Sequence, residues 1–221
     1  KNEYKIEVYS YNFGNYRNEL DNLNEINKID GIDYYFFSED IKNLNSDKWN
    51  IIKYPLIDIN TNMDKNRFTV KVCKFNVPMI LRKYDYVIHI DSKKSAIDIF
   101  NSNITKIKLY NMINNNKNID VFFREHSDYP KDVKNIYDEI DRVIKFNKED
   151  KSNGLKWKNK LAKEKWEQKD KFIDCDIFMR KYSYQLNETL SKIIFLMETN
   201  KIQRDQIILP YIIENPKNNI K

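Results

Sequence analysis

Apolar and polar residues alternate from Tyr4 to Tyr11, with β-branched and aromatic members among them, which predicts a first strand. Gly14 supplies a turn, and Leu20, Leu23 and Ile26 stripe the helix expected after it. Asp33 to Phe37 reads as a second strand closed by Ser38-Glu39-Asp40, and Trp49 to Tyr54 as a third. A helix is expected from about Lys65 to Arg82, because Phe68, Val72, Phe75 and Met79 fall on one face. Arg67, Lys71 and Lys74 share another face of it, and Pro78 should bend or end it. Tyr86 to Ile90 is then a buried strand, cut off by Asp91 and a polar turn.

Beyond Asp91 the pattern predicts a helix or loop over Ser95 to Phe100, a helix over Ile104 to Ile113, and a short strand over Ile119 to Phe123. Arg124-Glu125-His126 follows that strand, and Val133, Ile136, Tyr137, Ile140, Val143 and Ile144 make an amphipathic helix. Its acids Asp138 and Glu139 face either a cleft or water. Lys145 to Lys171 is the most polar stretch, anchored only by Trp157, Leu161 and Trp166, and reads as a mobile loop with a peripheral helix, a candidate lid. Phe172 to Arg180 is a last strand with Asp174 and Asp176 on one face. Leu186, Leu190, Ile193 and Met197 stripe the next helix, and Arg204-Asp205-Gln206 opens a final one over Ile207 to Ile213. Strand-helix-strand rhythm of this kind predicts one α/β domain over residues 1–221, an open, mostly parallel sheet with helices on its faces.

Composition narrows the chemistry. Three glycines in 221 residues exclude glycine-rich phosphate loops and with them most kinases, ATPases and dehydrogenases. Two distant cysteines, Cys73 and Cys175, read as buried thiols, and no CxxC or CxxH pair offers zinc a site. The net charge of +6 is spread among 33 acids and 39 bases, a mixed surface with a basic excess, which favours acidic or phosphorylated ligands over acidic proteins in particular. No 18-residue apolar run spans a membrane, so a cytoplasmic location is expected. The chain opens on Lys1 and not on Met, which leaves a longer protein, or a lumenal location behind a trimmed anchor, equally open.

Asp91 stands where open α/β sheets bind ligands, outside the carboxyl end of a strand, and there an acid holds a divalent cation or accepts sugar hydroxyls; capping a helix that starts at Ser92 is the plainer alternative. Three cations on one helical stripe just before that strand suit a diphosphate, unless they are an ordinary solvated face. His126 is one of two histidines and a candidate ligand contact, with a plain loop histidine as the alternative.

These pieces together resemble the GT-A class of nucleotide-sugar glycosyltransferases, and in particular the domain family of bacterial capsule-building, plant polysaccharide and viral glycosyltransferases. The resemblance rests on Val8 through Tyr16, Asp33 through Ser38 with Trp49, Asn66-Arg67 through Lys74, and Tyr84 through Ser92. It continues through His126 with Tyr137 to Glu139, Asp174 through Arg180, and Arg204-Asp205-Gln206. It implies a sugar donor, a nucleoside diphosphate with uridine as the base, and a glycan or other hydroxyl acceptor. Ser10, Tyr11 and Asn12 would meet base and ribose, while Arg67, Lys71 and Lys74 would face the diphosphate. His89, His126, Arg180, Arg204 and Gln206 would complete the donor site. Asp205 would be the catalytic base, with Asp174 as second choice. Asp91 would be the last acid of a DxD-like motif and, with His89, the ligand of Mn²⁺ or Mg²⁺. His89 stands where that motif has its first acid, so side chains can take over part or all of the ion's role. An inactive nucleotide-sugar binding module and a basic nucleic-acid-binding domain are the competing expectations; a nucleotidyltransferase lacks its glycine-rich loop here.

Overall fold

The computed structural model describes residues 4–14, 19–125, 133–218 and 220. Six strands form a single sheet: β1 (Ile6–Tyr11), β2 (Asp33–Ser38), β3 (Asn50–Lys53), β4 (Tyr86–Ile90), β5 (Val121–Glu125) and β6 (Ile173–Lys181). Their order is β3-β2-β1-β4-β6-β5, with β3, β2, β1 and β4 mutually parallel. β6 departs from the expected parallel pairing: it runs antiparallel to both β4 and β5. The eight α-helices among the described residues are α1 (Glu19–Leu23), α2 (Lys65–Phe75), α3 (Lys94–Asn103), α4 (Lys106–Asn115), α5 (Ile136–Lys145), α6 (Lys151–Lys163), α7 (Tyr184–Asn200) and α8 (Leu209–Ile213). None of them is long and apolar enough to cross a membrane.

Strand pleating assigns the two faces. Ile6, Val8, Tyr86, Ile88 and Ile90 pack with Leu23, Ile97, Phe100, Leu109 and Ile113 on the side of α1, α3 and α4. Tyr9, Tyr11, Phe37 and Val87 point the other way, beneath α2. On that side Phe178 joins a larger core built from α2, α5, α6 and α7. Burial of this many apolar side chains on both faces is the main favourable contribution to folding.

Two expectations are corrected. α2 stops at Phe75, with Asn76 extended as its cap, and Met79 is 80% exposed in a separate 3₁₀ turn, Met79–Leu81. Pro78 has no N–H for the Lys74 carbonyl, so the helix cannot continue through it. Tyr9 Oη donates to that carbonyl instead (3.0 Å), and the Arg180 guanidinium bridges it (3.1 Å) and the Phe75 carbonyl (2.9 Å). The second correction concerns residues 145–171. α6 is an integral part of the fold, with Trp157 and Leu161 in the core and Gly154 pressed against Ile144 of α5. Its one apolar stripe was too sparse to advertise burial, but Trp157 Nε1 donates to the Ile207 carbonyl (2.7 Å) and locks the helix in place.

Candidate functional site

The site lies at the carboxyl ends of β1 and β4. Because β6 is antiparallel, its first residues, not its last, reach the tip of β4. Asp91 N–H donates to the Asp176 carbonyl (2.7 Å), which sets the two acids side by side. α2 crosses above them with Lys71 and Lys74 one turn apart, and the turn that holds Asp205, a 3₁₀ segment Asp205–Ile207, closes the far side.

Asp205 is the hub. Its Oδ1 lies 3.1 Å from Lys71 Nζ and its Oδ2 3.1 Å from Lys74 Nζ, the second contact being an ion pair outside hydrogen-bond alignment. Lys74 also lies 3.8 Å from Asp91 Oδ1, so a single buried ammonium joins the two acids. Lys93 lies 3.6 Å from Asp91 Oδ2 and 2.8 Å from Asp176 Oδ1. Lys71, Lys74, Asp91 and Asp205 thus form one ion-pair cluster at the strand tips.

Burial raises the proton affinity of the Asp205 carboxylate, but Lys71, Lys74 and Arg204 outweigh it and hold the group well below the usual carboxylate range. Burial lowers Lys71, and Asp205 only partly restores it. At Lys74 the order reverses: burial lowers it, yet Asp205 and Asp91 together hold it above the ordinary lysine value. Asp176 is raised, chiefly by burial and then by the charge of Asp91, against the opposing pull of Lys93. His89 is held well below its ordinary value by burial, with Lys74 and Arg180 adding to it, so its imidazole is neutral.

A pocket of about 220 Å³ opens beside these groups, with Lys93, Asp174, Asp176, Arg204 and Gln206 on one wall and Glu139 and Arg142 of α5 on the other. Arg204 and Gln206 therefore both reach this cavity. The turn that carries them is built by residues the sequence reading passed over. Glu149, buried, accepts from the Gln203 and Arg204 amides (2.8 and 3.0 Å), and the Gln206 side-chain amide donates to the Ile173 carbonyl. An acid in a polar stretch carries no sequence signal for this. Asp176 was visible as an acid on the same strand face as Asp174, but only the antiparallel register shows that it, and not Asp174, meets Asp91.

Other assignments move. Arg180 is buried and spent on the α2 carbonyls and on Tyr9 Oη (3.3 Å), so it makes no donor contact; antiparallel β6 puts it opposite Val87, at depth, away from the strand tips. Asp174 pairs with Arg124 and accepts from the Asp176 amide (2.8 Å), a supporting position for its neighbour. Ser10 and Tyr11 are buried, Tyr11 with its hydroxyl on His89 Nε2 (2.9 Å), so of these three expected donor contacts Asn12 alone is partly accessible. Arg67 leaves the stripe to contact Gln203 and Asp64. His126 lies outside the described residues.

The donor set does not fit Mn²⁺ or Mg²⁺. Hard cations take several oxygens. Here the carboxylates in reach are Asp91 and Asp176, each already facing an ammonium, and His89 Nε2 is engaged by Tyr11. Among the described residues no group of three or more His, Cys, Asp or Glu side chains is arranged to hold a metal.

No protein-family model and no curated protein matches this chain.

Proposed function

We propose that this chain is a glycosyltransferase of the GT-A class, moving a sugar from a nucleoside-diphosphate donor, uridine diphosphate in the first instance, to a hydroxyl of a glycan or similar acceptor. The observation that supports this reading is the meeting of Lys71, Lys74 and Lys93 with Asp91, Asp176 and Asp205 at the carboxyl ends of parallel strands. Such a grouping answers both demands of the reaction. The departing diphosphate gains negative charge, which preorganised ammonium groups stabilise. The acceptor hydroxyl must lose a proton as it attacks the anomeric carbon.

The base is assigned to Asp176. A useful base needs a proton affinity near the working pH, and the two lysines clamped to Asp205 remove that property from it. Asp176 has its affinity raised and lines the pocket. Asp205 becomes the anchor that holds Lys71 and Lys74 toward the phosphates, and Asp91 accepts hydrogen bonds from ribose or sugar hydroxyls.

A thermal-shift screen of nucleoside-diphosphate sugars tests the reading. At a hundredfold excess over Kd, about 2.7 kcal/mol of linkage is expected, or a rise of roughly 5–10 °C for a chain of this size. Asp176→Asn should keep that shift and lose transfer to any acceptor. No shift with any sugar nucleotide sinks the proposal; a shift without donor turnover in the wild type leaves only a binding module.

A further inference from the structure

We infer that donor binding, on the transferase reading above, proceeds without a divalent cation, and that the Lys93 ammonium stands in the place between Asp91 and Asp176 that an ion would occupy.

Four observations carry this. First, Lys93 Nζ lies within 2.8 Å of Asp176 Oδ1 and 3.6 Å of Asp91 Oδ2, bridging the two carboxylates that a metal would have to share. Second, the opposite oxygen of Asp91 faces Lys74, whose side chain is only 5% exposed. Buried and held 3.1 Å from Asp205 Oδ2, the Lys74 ammonium has no room to swing away, so a dication on Asp91 would meet a fixed positive charge. Third, His89 is badly placed to replace a missing oxygen ligand: it is fully buried, and its Nε2, 3.6 Å from Asp91 Oδ1, is engaged more closely by Tyr11 Oη at 2.9 Å. Fourth, Lys93 is the N-cap residue of α3 with an extended backbone, and its side chain is 49% exposed. It therefore sits at the rim, free to leave Asp176 for a phosphate oxygen when a ligand arrives, and that exchange releases the Asp176 carboxylate toward the pocket. An ammonium on a flexible stem does electrostatically what a bridging ion does, as a point charge beside the diphosphate.

Two measurements test this, one of them independent of any nucleotide. Mn²⁺ is titrated into the protein alone and free ion is followed by electron paramagnetic resonance. The wild type should show no site at Asp91, while Lys93→Ala should gain affinity by about tenfold or more and lose it again in Lys93→Ala/Asp91→Asn. A wild-type site that Asp91→Asn abolishes overturns the inference, and so does the absence of any gain in Lys93→Ala. In the second, UDP is titrated calorimetrically in EDTA and in Mn²⁺. Equal affinity in both for the wild type, with a loss of about tenfold or more in Lys93→Met, is expected. A wild-type affinity that falls about tenfold in EDTA overturns the inference and leaves the transferase reading standing. If neither UDP nor any sugar nucleotide binds in either buffer, the transferase reading falls, and the Mn²⁺ titration alone decides whether Lys93 displaces the ion.

Discussion

Asp205→Asn keeps the shape of the hub and removes its charge. In the native protein the Asp205 carboxylate lies 3.1 Å from both Lys71 and Lys74, and the three side chains are 8%, 12% and 5% exposed, so solvent screens little of the interaction. Deleting one partner of a buried pair typically costs about 3–5 kcal/mol, because the partner charge stays behind. Here Lys71 loses its counter-charge and Lys74 is left with Asp91 alone at 3.8 Å, and the upper part of that range is expected against a total stability of about 5–15 kcal/mol. Urea unfolding near neutral pH measures it. A double-mutant cycle with Lys71→Met separates the electrostatic cost from general damage: removing the stranded ammonium should recover at least about 1.5 kcal/mol. The pH dependence gives an independent check. The carboxyl of Asp205 is depressed in the folded state. Its contribution is therefore fully present above the unfolded value of about 3.9 and is lost as pH falls below that toward the folded value. The variant should show a flatter acid limb than the wild type. Additivity of the two substitutions within about 0.5 kcal/mol, or an unchanged acid limb, would refute the hub.

Three further outcomes follow from the same contacts. His89 is neutral and depressed, so the unfolded chain takes up its proton first as pH falls below about 6.5, and stability should drop from there at up to about 1.4 kcal/mol per pH unit; His89→Gln, followed by urea midpoints across that window, should remove this part of the slope. Arg180→Met strands the Lys74 and Phe75 carbonyls at the end of α2 and should cost about 3 kcal/mol in urea unfolding, with little rescue by Arg180→Lys, since one ammonium cannot reproduce the planar fork. Glu149→Ala removes the charged acceptor of two backbone amides beneath Arg204 and should also cost about 3 kcal/mol, with hydrogen exchange faster at Gln203 and Arg204 than elsewhere; uniform exchange would argue against a local role.

Legibility in the sequence differed by the range of the forces involved. The strands from Asp33 and Tyr86 were readable because a buried parallel strand writes its burial as a local apolar run, and the strand from Ile6 was readable from its alternation. The α2 stripe was readable in the same way, and Pro78 pointed to its end, although Met79 continued the spacing past the true stop. α6 was misjudged: Trp157 and Leu161 are enough to bury a helix once α5 and α8 are beside it, but two anchors among lysines look solvated in one dimension.

Local periodicity was thus sufficient for the α/β class, the central strand and the acid at its tip, since each depends on neighbours a few places away along the chain. The direction of β6 is a long-range matter, and from it come the pairing of Asp176 with Asp91, the retreat of Arg180 into the core, and the freedom of Lys93 to bridge two acids. Proton affinities belong to the same class. Asp205 and Asp176 are equivalent as letters, and only the burial and charges that folding gathers around each hold one well below the usual carboxylate range and raise the other above it.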